Sequence, residues 1–297
     1  MISVCIPVFN VDVRKLTKSL ISQAVNIPVE IILIDDKSQQ EIRQLNRNLK
    51  DTGIQYHELE ENIGRASIRN RFREYANHEH LLFLDCDSVI ISDTFLSDYV
   101  ETIREFPGSV VCGGRIYGTT PALRNRRLHW KYGTIKESRP AGLRKIDPNR
   151  SFMSSNFLLP LTVLREISFD ERLSDYGHED SLFGYELSKA GKMIIHIDNP
   201  VEHGELETNR EFIEKTREAV QNLVKITRMP DVDPAFADTI SLLRAARKFE
   251  DRGFAGILRL LSFLIVPLSG WILRLGCTCL NLLDAYKLGL YYTNKKK

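Results

Sequence analysis

Two groups of carboxylates stand at the ends of apolar runs. Asp35 and Asp36 close the run Val29 to Ile34, and Asp85-Cys86-Asp87 closes His80 to Leu84. Ligands of open α/β sheets bind beyond the carboxyl ends of the strands. Two carboxylates spaced i, i+2 where a chain turns can face one pocket. One or two carboxylates plus diphosphate oxygens suit Mg²⁺ or Mn²⁺. Such an ion would offset charge developing on a departing diphosphate. Asp-x-Asp also occurs as a plain turn or helix cap. Between the two groups lies Asn62-Ile63-Gly64, a turn before a helix that carries Arg69. A helix start can hold an anion, and Arg69 can pair with phosphate. The alternative is a glycine turn before a solvated basic helix. A third group, Tyr176-Gly177-His178-Glu179-Asp180, opens an apolar helix. Its acids serve either as caps or, for one of them, as the general base that takes a proton from an attacking hydroxyl. His203-Gly204 follows the last apolar run. His203 is either a structural histidine or an imidazole ligand to the metal.

Alternating strand and helix signals must position these groups. Ile2 to Phe9, Val29 to Ile34, Ile54 to His57, His80 to Leu84 and Met193 to Ile197 read as strands. Val13, Leu16 and Leu20 recur at helical spacing, and Ser67 to Tyr75 reads as a helix. The alternation predicts an α/β fold with a mostly parallel sheet flanked by helices. Runs without strict alternation suit strands buried on both faces. Ala122 to Arg150 holds nine Lys or Arg against two acids and reads as a loose excursion. Thr208 to Glu211 fits a capping box that opens a helix through Phe212, Thr216, Val220 and Leu223.

The 297 residues suffice for one large α/β domain with an appendage, or for two modest domains. A net charge of +2 gives no sign of a nucleic-acid partner. Cys5, Cys86, Cys112, Cys277 and Cys279 have no disulfide or zinc spacing, and they read as free thiols in a reducing compartment. No signal peptide is read at the N-terminus.

Taken in order, the segments Ser3 to Asn10, Ile31 to Ser38, Asn62-Ile63-Gly64 with Arg69-Asn70, Phe83 to Ser88, and Phe169 to Arg172 through Gly177 to Asp180 resemble the family 2 glycosyltransferases of bacterial cell-surface glycan synthesis. The resemblance covers roughly residues 1–205 and implies the Rossmann-like GT-A fold with a C-terminal helical extension. It implies transfer of a hexose or aminohexose from a nucleotide sugar, with UDP as the expected nucleotide, to a glycan or lipid-linked hydroxyl. Inversion by a single displacement and a Mn²⁺ or Mg²⁺ cofactor go with it. On this resemblance Asp35 or Asp36 holds the base above the turn Pro7 to Asn10, which includes Phe9. Asn62, Gly64 and Arg69 serve the donor side. Asp85 faces the donor sugar and ribose, and Asp87 with His203 holds the metal. Asp180 is the base and Glu179 orients the acceptor. His178 stands where the family commonly has Asp or Gly, so the acceptor contact differs there. Trp130 and Asn156, near the expected acceptor wall, complete the candidate set; a tryptophan stacks on a sugar or packs in a core. A nucleotidyltransferase would need a Gly-rich basic loop after the first strand, where this chain has Asn10 to Leu16. A nucleotide-sugar-binding scaffold without activity is the non-enzymatic alternative, favoured only if the carboxylates were missing.

Ile257 to Leu283 is the most apolar stretch, broken by Arg259, Pro267 and Arg274. The charge-free run of 14 residues is shorter than the roughly 20 that span a bilayer, and arginine at depth is costly. Helices in the membrane interface are expected, with Trp271, Tyr286, Tyr291 and Tyr292 near headgroup level and Lys295 to Lys297 adding attraction to anionic lipid. A packed helical subdomain, an oligomer contact or a tilted spanning helix across Ile257 to Leu283 is the alternative. The expected division is 1–205 catalytic, 206–252 helical and 253–297 membrane-associated, at the cytoplasmic face of the inner membrane. A chain ending near Asp251 is expected to be more soluble and still bind nucleotide.

Overall fold

Apolar runs that lack polar alternation become strands covered on both sides. A computed structural model describes residues 1–295. Strands β1 (Ile2–Val8), β2 (Val29–Asp35), β3 (Gln55–Glu58) and β4 (His80–Leu84) are linked by helices α1 (Arg14–Gln23), α2 (Gln40–Arg47) and α3 (Gly64–Tyr75). β1 pairs in parallel with β2, from Ile2↔Val29 to Val8↔Asp35, and with β4, from Ile2↔His80 to Cys5↔Phe83. Side chains alternate between faces. Val4, Ile6, Ile31 and Leu33 enter one core with α1, while Cys5, Ile32, Ile34 and Phe83 enter another with α3.

The chain continues through β5 (Ser88–Ile90), α4 (Phe95–Glu105), β6 (Val110–Cys112), β7 (Arg115–Ile116), α5 (Arg127–Tyr132) and α6 (Ala141–Arg144). Then come β8 (Asn156–Pro160), α7 (Leu161–Glu166), α8 (Glu179–Lys189), β9 (Ile194–His196) and β10 (Val201–His203). Among the described residues the main sheet has seven strands in the order β3-β2-β1-β4-β8-β6-β9. It is parallel except at β8, which runs antiparallel to β4 and β6. β5, β10 and β7 form a small second sheet over the carboxyl end of the first. It pairs His203 with Ser88, beside Asp87.

Helices α9 (Asn209–Ile226), α10 (Phe236–Thr239), α11 (Ser241–Asp251), α12 (Ala255–Arg274) and α13 (Leu280–Asn294) follow. Thr208 and Glu211 form the expected capping box of α9. The helices build a third core, in which Val220, Leu223, Leu243, Leu273 and Tyr286 meet Leu128 of α5 and Leu182 of α8. The expected boundary at 252/253 falls inside this cluster.

Three expectations are corrected here. The basic stretch Ala122 to Arg150 is ordered, because several of its charges are spent on the fold. Arg144, 3% exposed, donates to the carbonyls of Cys112 (3.1 Å), Gly113 (3.0 Å) and Ile197 (2.8 Å) and contacts His196 Nδ1 at 2.7 Å. Tyr286, Tyr291 and Tyr292, expected at headgroup level, are buried in the helical core instead. A chain ending near Asp251 would lose α13 from that core, including the bond from Tyr292 Oη to the Ala246 carbonyl at 3.1 Å. It is therefore expected to be destabilised. Lys295 pairs with Glu250 at 2.7 Å, while Lys296 and Lys297 lie outside the described residues. All five cysteines are free thiols, as expected.

Candidate active site

Where β4 ends, the chain turns sharply. Asp85 N–H donates to the Ser155 carbonyl (3.1 Å), and Ser88 N–H donates to the Asp85 carbonyl (3.0 Å). The turn sets Asp85 and Asp87 at the sheet's carboxyl edge. Gly204 N–H donates to the Asp87 carbonyl at 2.9 Å. A Cβ at Gly204 would sit 2.5 Å from that oxygen, so only glycine allows the approach. This clasp puts His203 Nδ1 3.1 Å from Asp87 Oδ2.

Helix α3 bridges this turn to the third acidic group. Buried Arg69 donates from Nη2 to Asp85 Oδ1 at 3.0 Å, and its Nη1 lies 3.9 Å from Glu179 Oε1. Arg65 Nη1 lies 3.7 Å from the same oxygen, with its guanidinium over the Tyr176 ring at 5.0 Å. Glu179 is 3% exposed, and its Oε2 has no partner. Asp180 accepts from Ser181 N–H at 2.6 Å. His178 takes a left-handed conformation (φ 68°) at the start of α8, which presents the two acids in its first turn.

The environments push these acids apart. Burial raises the Asp85 carboxyl, but Arg69, Arg65 and Arg115 outweigh it, and the group ends below its ordinary value. Burial and the nearby Asp85 raise Asp87 to about 6. Burial and Glu179 raise Asp180 to about 6. Burial, then Arg115, lowers His203 to about 4, so its imidazole is neutral near pH 7 with a lone pair available. Among the described residues no group of three or more His, Cys, Asp or Glu gathers around one point as a metal cluster. Asp87 with His203 is a two-ligand set.

The other expected residues divide by how far the fold has used them. Asp35 is fully buried; it accepts from Ser38 N–H (2.7 Å) and Tyr56 Oη (2.9 Å), with Arg43 Nε at 3.4 Å. Asp36 accepts from the N–H groups of Ile63 (2.7 Å) and Gly64 (3.1 Å). The anion at the start of α3 is thus the chain's own Asp36, and Asn62 donates to its carbonyl at 3.0 Å. Pro7 lies on β1 opposite Ile34. Asn10, at φ 55°, accepts from Gln39 N–H, and its own N–H donates to Ser38 Oγ, both at 2.8 Å. Phe9 beside it is exposed. Trp130 Nε1 donates to the Gly118 carbonyl at 2.7 Å. Asn156 is buried, bonded to Tyr99 Oη (2.6 Å) and the carbonyls of Gly114 and Asn199 (both 2.9 Å). A contact from Asn156 to an acceptor would require that network to open.

Sequence reading missed one wall of the site. Arg115 Nη2 donates to Glu137 Oε2 at 2.6 Å, and Tyr117 Oη donates to the same oxygen. The Tyr117 and His129 rings lie 5.1 and 5.2 Å from the His203 ring. Glu137 ends a π-helical turn, Gly133–Glu137, of the kind often found at functional sites. It is one of the two acids in the basic stretch, and that isolation was the available signal.

Residues 3–165 match the family model for glycosyl transferase family 2. The chain belongs to that family. The hyaluronan synthase of Pasteurella multocida is 25% identical over 237 residues, 69% of this chain and 24% of the relative. This family 2 chain therefore spans about a quarter of that relative's length. The structure of S. aureus TarS 1–349 superposes with a TM-score of 0.56 at 20% identity, covering 99% of this chain and 90% of that one. TarS 1–349 has also been solved with UDP and with UDP-GlcNAc. The mannosyltransferase PcManGT from Pyrobaculum calidifontis, solved with GDP-Man and Mn²⁺, gives a TM-score of 0.62 at 16% identity, over 99% and 86% of the two chains. At these identities the likeness is one of fold, and the fold is GT-A: a mostly parallel sheet flanked by helices, with C-terminal helices added.

Proposed function

We propose that this family 2 glycosyltransferase moves a sugar from a nucleoside-diphosphate sugar, with UDP as the nucleotide, to a hydroxyl of a glycan or lipid-linked acceptor, with inversion. The observation that carries the proposal is the separation of the site's acids by environment. Asp85 is held ionised by arginines, while Asp180 is raised to about 6 by burial and Glu179, close to the operating pH of a general base. The TarS complexes with UDP and UDP-GlcNAc support the donor class.

Asp180 takes the proton of the acceptor hydroxyl as its oxygen attacks the anomeric carbon. The bond from that carbon to the diphosphate oxygen breaks with inversion. Glu179 and His178 orient the acceptor, and Trp130 flanks it. Arg69 keeps Asp85 ionised toward the donor sugar and ribose. Asp35 and Asp36, with the turn Pro7 to Asn10, shape the base pocket. A Mg²⁺ or Mn²⁺ ion would be held by Asp87 and His203, a neutral imidazole beside an under-compensated carboxylate, and would neutralise charge on the departing diphosphate. Two protein ligands suit an ion that takes its other oxygens from substrate. Residues 1–205 carry this chemistry, and the helical cluster of α9 to α13 braces it against α5 and α8.

A thermal-shift series with UDP, GDP and ADP, each with Mn²⁺ or chelator, tests the reading. A ligand that binds the folded state raises Tm by mass action, by about 2.7 kcal/mol of stability at a hundredfold excess over Kd. UDP with Mn²⁺ should stabilise most, and Asp87→Ala should lose the metal-dependent part. Equal shifts in chelator would remove the metal from the proposal. Binding without turnover of any nucleotide sugar would favour the scaffold reading.

A further inference from the structure

Helix α12 carries apolar side chains on its outer face as well as on the face that packs into the helical core. Its inward face carries Ser262, Ser269, Gly270 and Leu273, which are buried. Its outward face carries Ile257, Leu260, Leu264, Leu268, Trp271 and Leu275, spaced three or four apart and all exposed, Leu260 by 72% and Trp271 by 61%. Side chains at that spacing make one stripe, here about 27 Å long at the usual helical rise. Monomeric soluble proteins rarely leave so large a continuous apolar patch open. The helix is long and apolar enough to cross a membrane by length and composition. Its inner side, however, packs along α13 so tightly that a Cβ at Gly289 would meet Val266 Cγ2 at 2.8 Å. α13 in turn belongs to the helical core with α9. α12 therefore lies along the domain and offers one face. Small residues at such a contact are how helices associate where the outer face meets lipid.

Charge identifies what covers the stripe. From Arg252 to Leu283 the chain has no acid, and its charged residues are Arg252, Arg259 and Arg274. At the C-terminal end of the stripe the Arg124 side chain packs against Gly276. Exposed Arg126 and Arg127 follow, bonded to the backbone carbonyls of Leu206 and Ala122, and exposed Leu123 stands beside them. Glu214 of α9 lies 4.0 Å from Arg274, but the stripe's own segment carries only arginines, and such a face is complementary to an anionic bilayer surface. A twofold partner would instead set like charges against each other. The same basic segment runs into α5, whose His129 ring lies 5.2 Å from the His203 ring.

We infer that the outer face of α12 and the segment Arg124–Arg127 form one docking surface for anionic phospholipid. The helix lies in the interface, and the wall of the active site stands next to the headgroups. An acceptor carried on lipid would then reach the site without leaving the membrane plane; that last step rests on the proposed transferase function, whereas docking does not.

The experiment is co-sedimentation of the full chain, without donor, with phosphatidylcholine vesicles containing or lacking phosphatidylglycerol. Binding should be strong only with phosphatidylglycerol. Leu260→Glu with Leu264→Glu and Leu268→Glu should reduce it at least tenfold at unchanged Tm, since all three side chains are exposed. Arg124→Ala, Arg126→Ala and Arg127→Ala should each cost roughly fivefold on anionic vesicles. In the unmutated protein, brominated lipid should quench Trp271 fluorescence, and Trp271→Phe should remove that quenching; this readout survives if the triple variant fails to fold. No sedimentation with either vesicle, or an unquenched Trp271, overturns the inference. So does a dimer in analytical ultracentrifugation that the leucine variants dissolve while vesicles are ignored, which would assign the face to a second copy.

Discussion

Two acidic groups end β2 and β4, the parallel strands on either side of β1, and the fold treats them differently. At the end of β2, both oxygens of Asp35 and both of Asp36 accept hydrogen bonds from the chain itself. Across the site, Asp87 and Asp180 are left under-compensated, both raised to about 6 by burial beside another acid, and Glu179 keeps an unpartnered buried oxygen. A carboxylate satisfied by its own fold holds shape, although burial still raises Asp36 above its ordinary value against the pull of its two N–H bonds. One that is buried and under-paired costs stability and gains a partner only with substrate or ion. The same side-chain type thus takes up different tasks through the hydrogen bonds that its surroundings provide.

The largest effect expected from this contrast is on turnover. Asp180→Asn should lower kcat by roughly 10²–10⁴-fold while leaving the donor-induced Tm shift in place. Because the base must be ionised, the rate in the unmutated enzyme should fall about tenfold per unit below pH 6 and level off above it. A flat profile from pH 5 to 7, or a normal kcat in the variant, removes Asp180 from that role. The stability change should have the opposite sign. A carboxyl raised in the folded state is penalised above that raised value, and the penalty fades as pH falls through about 6 toward the ordinary range. Asp180→Asn should therefore stabilise the ligand-free protein near pH 7 by on the order of 1–3 kcal/mol and have little effect near pH 4.

Asp35→Ala should move stability the other way. It strands the Tyr56 hydroxyl, the Ser38 amide and a nearby guanidinium, at a cost of about 2–4 kcal/mol in urea unfolding. Asp36→Ala should cost about 1 kcal/mol, the usual loss for a helix cap. An Asp35→Ala protein as stable as the parent would mean that the two strand ends do not differ as described.

Much of this was legible because it is local. β1, β2 and β4 are long apolar runs, and the α9 capping box is a four-residue pattern. The order of the acidic motifs carried the family. The Arg115–Glu137–Tyr117 wall was not legible, since β7 is two residues long and shows no periodicity, and Glu137 arrives on a π turn within a stretch that reads as solvated. The tyrosines of α13 misled for a related reason. A tyrosine suits a membrane interface and a helical core equally by composition, and only the packing of α13 on its neighbours decides. Asn156 likewise gives no sign in sequence that its amide is spent bridging Tyr99, Gly114 and Asn199.

The small sheet β5-β10-β7 has a consequence for how the molecule comes into being. Its strands leave the ribosome at residues 88–90, 201–203 and 115–116, and the last made is the one in the middle. Four parallel strands and both acids of the β4 turn can emerge and collapse first, since domains tend to fold during synthesis from the N-terminal end. The imidazole of His203 and the Gly204 clasp come more than a hundred residues after Asp87. A nascent chain halted before Val201 should thus hold a packed sheet but no finished pocket, and the capacity to act on a sugar nucleotide would switch on late, with the threading of one three-residue strand between two that are already waiting.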